Sequence, residues 1–232
     1  DSSSLNQVRF NTCHDNGGAG GAAGSATATP GYSEGIGIFV ESTAVASDGN
    51  QVTDNLCYAN NATGRNEGAA PGGLARSEGI ALLQTNNSNI ERNTVHDHVA
   101  WGGRSWNGSS GGKGGSGISY GIYGQDEAGL KVTSNVSYAN VGRGEYGGED
   151  ADDNMGMGWA AGILLNRCQN AVVKNNLCYY NVGRTSGTFG SEPAGLAASS
   201  GIEMKASPNC SVLNNTLVQN QVLVLSAGTN RF

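Results

Sequence analysis

Charge is scarce in this 232-residue chain. Only 14% of its residues are charged, and the net charge of −6 leaves no basic stripe. Proteins that bind nucleic acid neutralise phosphates with clustered Lys and Arg, so nucleic acid is excluded as a partner. No apolar run approaches the ~18 residues of a membrane-spanning helix, so membrane insertion is excluded as well. Proline is also scarce, at four residues, whereas glycine reaches 38. Glycine does not recur at every third position, which rules out a collagen-like chain. Disorder would need high charge and few branched apolar residues, and neither condition holds. The five cysteines are odd in number, so at least one is unpaired within the chain. The chain opens on Asp1, without a start methionine or signal peptide, and is read as a processed form or an excised fragment. Its length fits one domain, residues 1–232.

What is present is repetition. Asn11, Asn55, Asn93, Asn135, Asn176 and Asn215 each open a similar hexad, spaced 44, 38, 42, 41 and 39 residues apart. Three positions earlier stands a branched apolar residue: Val8, Val52, Ile90, Val132, Val173 and Val212. Upstream of five anchors lies a Gly-Ile pair, read at Ile36, Ile80, Ile122, Ile163 and Ile202, with a small insertion near Thr43–Asn50 in the first repeat. Two positions after each anchor come Cys13, Cys57, Val95, Ser137, Cys178 and Leu217, small or apolar as an inward column requires. One further on, His14, Tyr58, His96, Tyr138, Tyr179 and Val218 form a mostly aromatic column. Such a unit buries its apolar face only against its neighbours, so the core forms by stacking rungs ~4.8 Å apart. The pattern predicts an all-β fold, a right-handed parallel β-helix of about six rungs. The anchor asparagines are expected at bends, because Asn tolerates left-handed backbone, with their amides bonded along the column. Asn16, Asn60, Asn140, Asn181 and Asn220 make a second column, interrupted by His98.

The repeat of Gly-Ile, Val and two Asn columns resembles that of the pectate-lyase-like parallel β-helix superfamily, over nearly the whole chain. The resemblance implies the fold and leaves the activity open, since the superfamily holds lyases, hydrolases, epimerases, tailspikes, adhesins and structural proteins. The period here is longer than a typical rung of that family. The excess falls between each hexad and the next Gly-Ile pair, in segments rich in Gly, Ala and Ser, read as long loops on one side with short strands of their own. Function is expected on such loops.

Several residues invite a chemical reading. His14 and His96 sit in the aromatic column, where stacking explains them. Glu145, Glu149, Asp150, Asp152 and Asp153 lie in one loop; Ca²⁺ is the ion whose oxygen chemistry fits Glu149, Asp150, Asp152 and Asp153, without the spacing of a calcium-binding hand. No other cofactor is indicated. Arg65, Arg104, Arg143 and Arg184 recur after the hexads, which suits pairing with loop carboxylates such as Glu34 and Glu78, read as equivalent residues on adjacent rungs. By resemblance to the superfamily's polysaccharide lyases, an Arg beside Ca²⁺-binding carboxylates would be a base; His-Gly and Arg-x-Lys elements of polygalacturonase-like hydrolases are absent. Trp101, Trp106 and Arg104 are candidates for a glycan-binding strip. Cys13 and Cys57 are expected as buried free thiols, while Cys168 and Cys210, in adjacent turns, are the better disulfide pair.

The ends complete the reading. No capping helix is visible, the first rung lacks a Gly-Ile strand, and Gln221-Val222-Leu223-Val224-Leu225 aligns with the missing strand type. Open rungs expose unpaired backbone and apolar core. The leading expectation is therefore an extracellular or cell-surface structural protein that assembles with itself head to tail, through Val8, Phe10, Val222, Leu223, Val224 and Leu225. Alternatives are a polysaccharide lyase acting on an acidic glycan, or a non-catalytic glycan-binding adhesin segment.

Overall fold

A computed structural model describes residues 5–20, 31–42, 47–65, 72–104, 114–145, 156–185 and 196–224. Among them the regular structure is β-strand throughout, wound in a repeating order of four parallel sheets. Sheet A stacks Gln7–Arg9, Gln51–Thr53, Asn89–Glu91, Lys131–Thr133, Val172–Lys174 and Ser211–Leu213. Sheet B stacks Thr12–His14, Leu56–Tyr58, Thr94–His96, Val136–Tyr138, Leu177–Tyr179 and Thr216–Val218. Sheet C stacks Gly18–Ala19, Ala62–Thr63, Val99–Trp101, Val141–Gly144, Val182–Thr185 and Gln221–Val224. Sheet D has five nine-residue strands: Ser33–Glu41, Ala75–Leu83, Gly117–Gln125, Gly158–Asn166 and Ala197–Lys205. This is a right-handed parallel β-helix, the hand that parallel crossovers adopt.

The short strands of sheets A and B leave room for one inward side chain per rung, and those are the columns seen in the sequence. Val52, Ile90, Val132 and Val173 from sheet A, and Cys57, Val95, Ser137 and Cys178 from sheet B, are fully buried. They pack against Ile38, Ile80, Ile122 and Ile163 of sheet D. The first Gly-Ile pair is thus Gly37-Ile38, since Ile38 stands opposite Ile80, and not the pair at Ile36. Repetition of Gly-Ile in residues 35–38 hid this two-residue shift. It also separates the two glutamates: Glu34 lies opposite Arg76, and Glu78 opposite Ile36.

Corners turn on single left-handed residues. Phe10, Asp54, Arg92, Ser134, Asn175 and Asn214 have φ of 51–58°, and each immediately precedes an anchor asparagine. The anchors are therefore not themselves the left-handed residues. The flip at the preceding residue aims the Asn N–H along the solenoid axis, and the Oδ1 of the next Asn accepts it. Asn93 N–H and Asn135 N–H both bond this way at 2.9 Å. Side-chain Nδ2–H donates along the same column at 2.9–3.0 Å from Asn11 to Asn215. The ladder fixes the corner firmly enough that even Phe10 and Arg92 accept the conformation.

The described ends of the long Gly-rich segments form a flat wing. Sheet C lies directly on the first half of sheet D, with only Ala62, Ala75 and Ala100 as a thin apolar layer. A Cβ on Gly142 would collide with the Trp159 carbonyl, and one on Gly117 with the carbonyls of Arg143 and Ala100. Further out the two walls merge into one hydrogen-bonded file. Gly103 N–H bonds Gly73 at 2.9 Å, Gly115 bonds Gly103 at 2.8 Å, Glu145 bonds Gly115 at 3.1 Å, and Gly156 bonds Glu145 at 2.8 Å. Backbone packed on backbone needs residues without side chains, which accounts for much of the glycine.

Gln221–Val224 is the sixth strand of sheet C, paired with Val182–Thr185. It is not of the Gly-Ile type, so it does not supply the strand that the first rung lacks. Val-Leu alternation suits either sheet; position along the rung decides.

Candidate functional site

The outer face of sheet D carries the largest cluster outside the core: Ala81, Tyr120, Tyr123, Ala161 and Leu164, flanked by Ile36, Ile118 and Trp159. Two charged residues lie within it. Arg76 and Glu78 alternate outward from one strand and form an ion pair, with Glu78 only 1% exposed. The Arg76 guanidinium also sits over the rings of Tyr123, at 4.4 Å, and Tyr120, at 5.9 Å. Burial raises the Glu78 carboxyl to about 7, against the pull of Arg76 and with help from the Glu34 charge. Tyr32 donates to Glu34 at 2.8 Å on the neighbouring rung. A carboxyl poised near neutrality beside a fixed cation and two phenols has the chemistry of a general acid or base. Arg76 was legible only as an opposite charge two residues from Glu78, on the same strand face.

A second buried carboxylate sits at the rim of the wing. Glu145, 1% exposed, receives Trp101 Nε1–H at 2.5 Å and Arg104 Nε–H at 3.0 Å, and pairs with Arg143 at 2.7 Å. Arg143 also stacks on Trp101, 4.6 Å from the ring centroid. Trp101 and Arg104, expected to face glycan, are thus joined to Glu145, although Trp101 remains 40% exposed. Two of the four recurrent arginines, Arg104 and Arg143, pair with a carboxylate. The partner of Arg104 and Arg143 is Glu145, however, not Glu34 or Glu78. Arg143 and Arg184 share one outward column with Trp101; Arg104 lies beyond it.

Glu127 is a third buried carboxylate, inside the solenoid at the corner after sheet D. Thr85 donates to it through N–H at 2.9 Å and Oγ1–H at 2.7 Å. No ion pair with it occurs among the described residues, and burial raises it to about 7.

On the outer face of sheet B the rings of His14, Tyr58, His96, Tyr138 and Tyr179 stack face to face, with centroids 4.6–5.4 Å apart. Asp15 and Asp97 hold His14 and His96 at Nδ1, at 2.7 and 2.6 Å. The column is the stack expected from sequence. His98 replaces an Asn in the second ladder, where its Nδ1 accepts Asn60 N–H at 3.2 Å. Burial lowers it to about 4, so it is neutral.

All five cysteines are free thiols. Cys57 is the buried free thiol expected, whereas Cys13, though free, is only partly buried; Cys168 and Cys210 do not form the expected bond, because Cys210 Sγ turns to the Cys168 carbonyl, at 3.6 Å. Among the described residues no three His, Cys, Asp or Glu side chains are placed to hold a metal, and no helix is long and apolar enough to cross a membrane. Trp106, Leu225 and the Ca²⁺ candidates Glu149, Asp150, Asp152 and Asp153 lie outside the described residues.

No protein-family model matches the chain, and no curated protein matches it. Among solved structures it is similar to the periplasmic alginate epimerase AlgG, at 14% identity and a TM-score of 0.34, over 91% of this chain and 45% of that one. A mutant of the same epimerase gives 13% identity, a TM-score of 0.35 and coverages of 93% and 46%. The A-module of the Azotobacter vinelandii mannuronan C-5 epimerase AlgE4 gives 12%, 0.18, and coverages of 97% and 90%. The chain spans less than half the length of AlgG. It has a right-handed parallel β-helix fold. That assignment stands on the strand order and register, and the fold alone assigns no activity.

Proposed function

We propose that this chain, taken as one module over 1–232, is an extracellular structural β-helix that assembles end to end. The observation that carries the reading is the state of the inward columns on the last described rung. Val212, Leu217 and Val222 are 49%, 51% and 48% exposed, while their counterparts Val52, Cys57 and Ala62 are buried. Fully burying a Val or Leu side chain is worth ~1.5–3 kcal/mol, so this face gains by being covered. The ion pairs of Arg76, Arg104 and Arg143 and the His–Tyr stack support the same reading, since each has a structural partner. Sedimentation and electron microscopy test it. The chain should form rods or oligomers along the solenoid axis, and Leu217→Lys should return them to monomers. Discrete monomers of the unaltered chain would overturn the proposal.

A second reading, favoured by the raised Glu78 carboxyl beside Arg76, Tyr120 and Tyr123, is a lyase-like enzyme on an acidic polysaccharide. New unsaturated products from alginate or pectate, lost in Glu78→Gln, would establish it.

A further inference from the structure

The aromatic column on the outer face of sheet B contains one contact unlike the others. Its five rings run His14, Tyr58, His96, Tyr138, Tyr179 along the solenoid axis, one per rung. Tyr58 lies between two imidazoles, His14 at 4.8 Å and His96 at 5.4 Å. Tyr138 and Tyr179 are therefore the one pair of neighbouring phenols in this stack, with ring centroids 4.7 Å apart and planes within 6°. In-register pairing of Val136–Tyr138 with Leu177–Tyr179 holds them there, because parallel neighbours repeat every ~4.8 Å. Both side chains remain partly exposed. Tyr120 and Tyr123 on sheet D also stack, at 5.3 Å, but they are only 4% and 5% exposed, and the Arg76 guanidinium lies over both rings.

We propose that Tyr138 and Tyr179 are an oxidative modification site, joined by a peroxidase-type one-electron oxidant into a dityrosine that bridges the fourth and fifth rungs. Hydrogen peroxide supplies the oxidising equivalents. Each phenol loses one electron and one proton, and the two phenoxyl radicals form a carbon–carbon bond between ring positions ortho to oxygen. The hydrogen on each of those carbons then moves to a phenol oxygen. Two hydrogens are lost overall, and one peroxide is reduced to two waters. Coupling needs two radicals side by side, and the fixed stack makes their encounter intramolecular, which raises its effective concentration by orders of magnitude. The rings tilt toward one another to bond, a reorientation that partly exposed side chains make in ps–ns. Tyr58 has no phenol neighbour: Tyr138 is two rungs away, roughly 9.6 Å, with His96 between them. The order of rings thus selects a single product. That bond closes a loop of one full rung of chain and so restricts the unfolded state, as a disulfide does. The stack is the same whether the solenoid is structural or catalytic.

The folded chain, kept dilute, is treated with a haem peroxidase and hydrogen peroxide, then read by dityrosine fluorescence, intact mass and peptide mapping. The expected product is a single chain lighter by two hydrogens, with the peptides of positions 138 and 179 joined and a melting temperature above that of the untreated chain. Tyr138→Phe and Tyr179→Phe keep a ring in the stack, and each should abolish the product; Tyr58→Phe should leave its yield unchanged. His96→Tyr sets a phenol between Tyr58 and Tyr138 and should add links from position 96 to positions 58 and 138. A link between Tyr179 and Tyr180, which meet edge-on at 72°, would overturn selection by stacking. So would links found only between chains, or a chain left unlinked under conditions that couple a free tyrosine peptide.

Discussion

Truncating Asn135 to alanine should be among the most damaging single changes to this solenoid, and the same change at Asn11 among the mildest. Asn135 is 1% exposed and sits mid-ladder. Its Oδ1 accepts Asn93 N–H at 2.9 Å and Asn93 Nδ2–H at 3.0 Å. Its Nδ2 donates to Ile90 O at 2.9 Å and Asn176 Oδ1 at 3.0 Å. After truncation Asn93 Nδ2 keeps Val52 O, at 2.8 Å, and Asn176 Oδ1 keeps Asn135 N–H, at 2.9 Å. Asn93 N–H keeps nothing. An orphaned buried donor costs about 1–3 kcal/mol and each lost ladder bond about 1, so Asn135→Ala should lose about 3–5 kcal/mol. Asn11 is exposed and its Oδ1 accepts nothing among the described residues, so Asn11→Ala loses about 1 kcal/mol or less. Denaturant melts followed by circular dichroism give the difference. Amide hydrogen exchange locates it: protection of Asn93 N–H should vanish, while Asn55 N–H, bonded to Asn93 Oδ1, keeps its own. Equal losses in the two variants, or an unchanged Asn93 amide, would refute the argument that the amide column holds the corners.

The raised carboxyls set an unusual pH profile. Glu127 goes from 4.5 to about 7 on folding, so the folded state holds its proton longer than the unfolded one, and stability falls as pH rises through that window. Over 2.5 units this amounts to about 3 kcal/mol; Glu127→Gln should remove it and raise the melting temperature at pH 8, and an unchanged pH profile would count against the burial argument. His98 acts oppositely, since its lowering to about 4 makes stability fall as pH drops below 6.5, and His98→Asn should remove that limb of a pH–melting curve. Gly142→Ala should cost about 1–3 kcal/mol or more by pushing the wing's two walls apart, whereas Gly17→Ala, whose nearest neighbour would be Asn61 O at 3.8 Å, should be near neutral in a thermal melt. The thiols of Cys168 and Cys178, each pushed up to about 12 by burial, should resist iodoacetamide until the protein unfolds; alkylation at native rates would contradict their placement.

The sequence by itself determined the solenoid, its period, both asparagine columns, the aromatic stack and the inward Val and Cys columns. Identical positions on successive rungs share one environment, so a repeating environment writes a repeating residue type. Tertiary structure decided what the repeat leaves unmarked. The register of Ile38 was ambiguous because Gly-Ile occurs twice within four residues, and only strand pairing showed that Glu34 faces Arg76. The left-handed corner residue was hidden because the ladder, not the side chain, enforces its backbone. The wing was hidden because close backbone packing and a loose Gly-rich loop favour the same composition. Glu78, Glu127 and Glu145 each occur once, outside any column, so nothing in the period announced them. Arg76 and Arg143 pair with Glu78 and Glu145 from two residues away along the chain, whereas Thr85 reaches Glu127, and Trp101 and Arg104 reach Glu145, across rungs roughly 40 residues apart in sequence but about 4.8 Å apart along the axis. The six-rung stack is therefore a property of the sequence, and its buried charges are properties of the stacking.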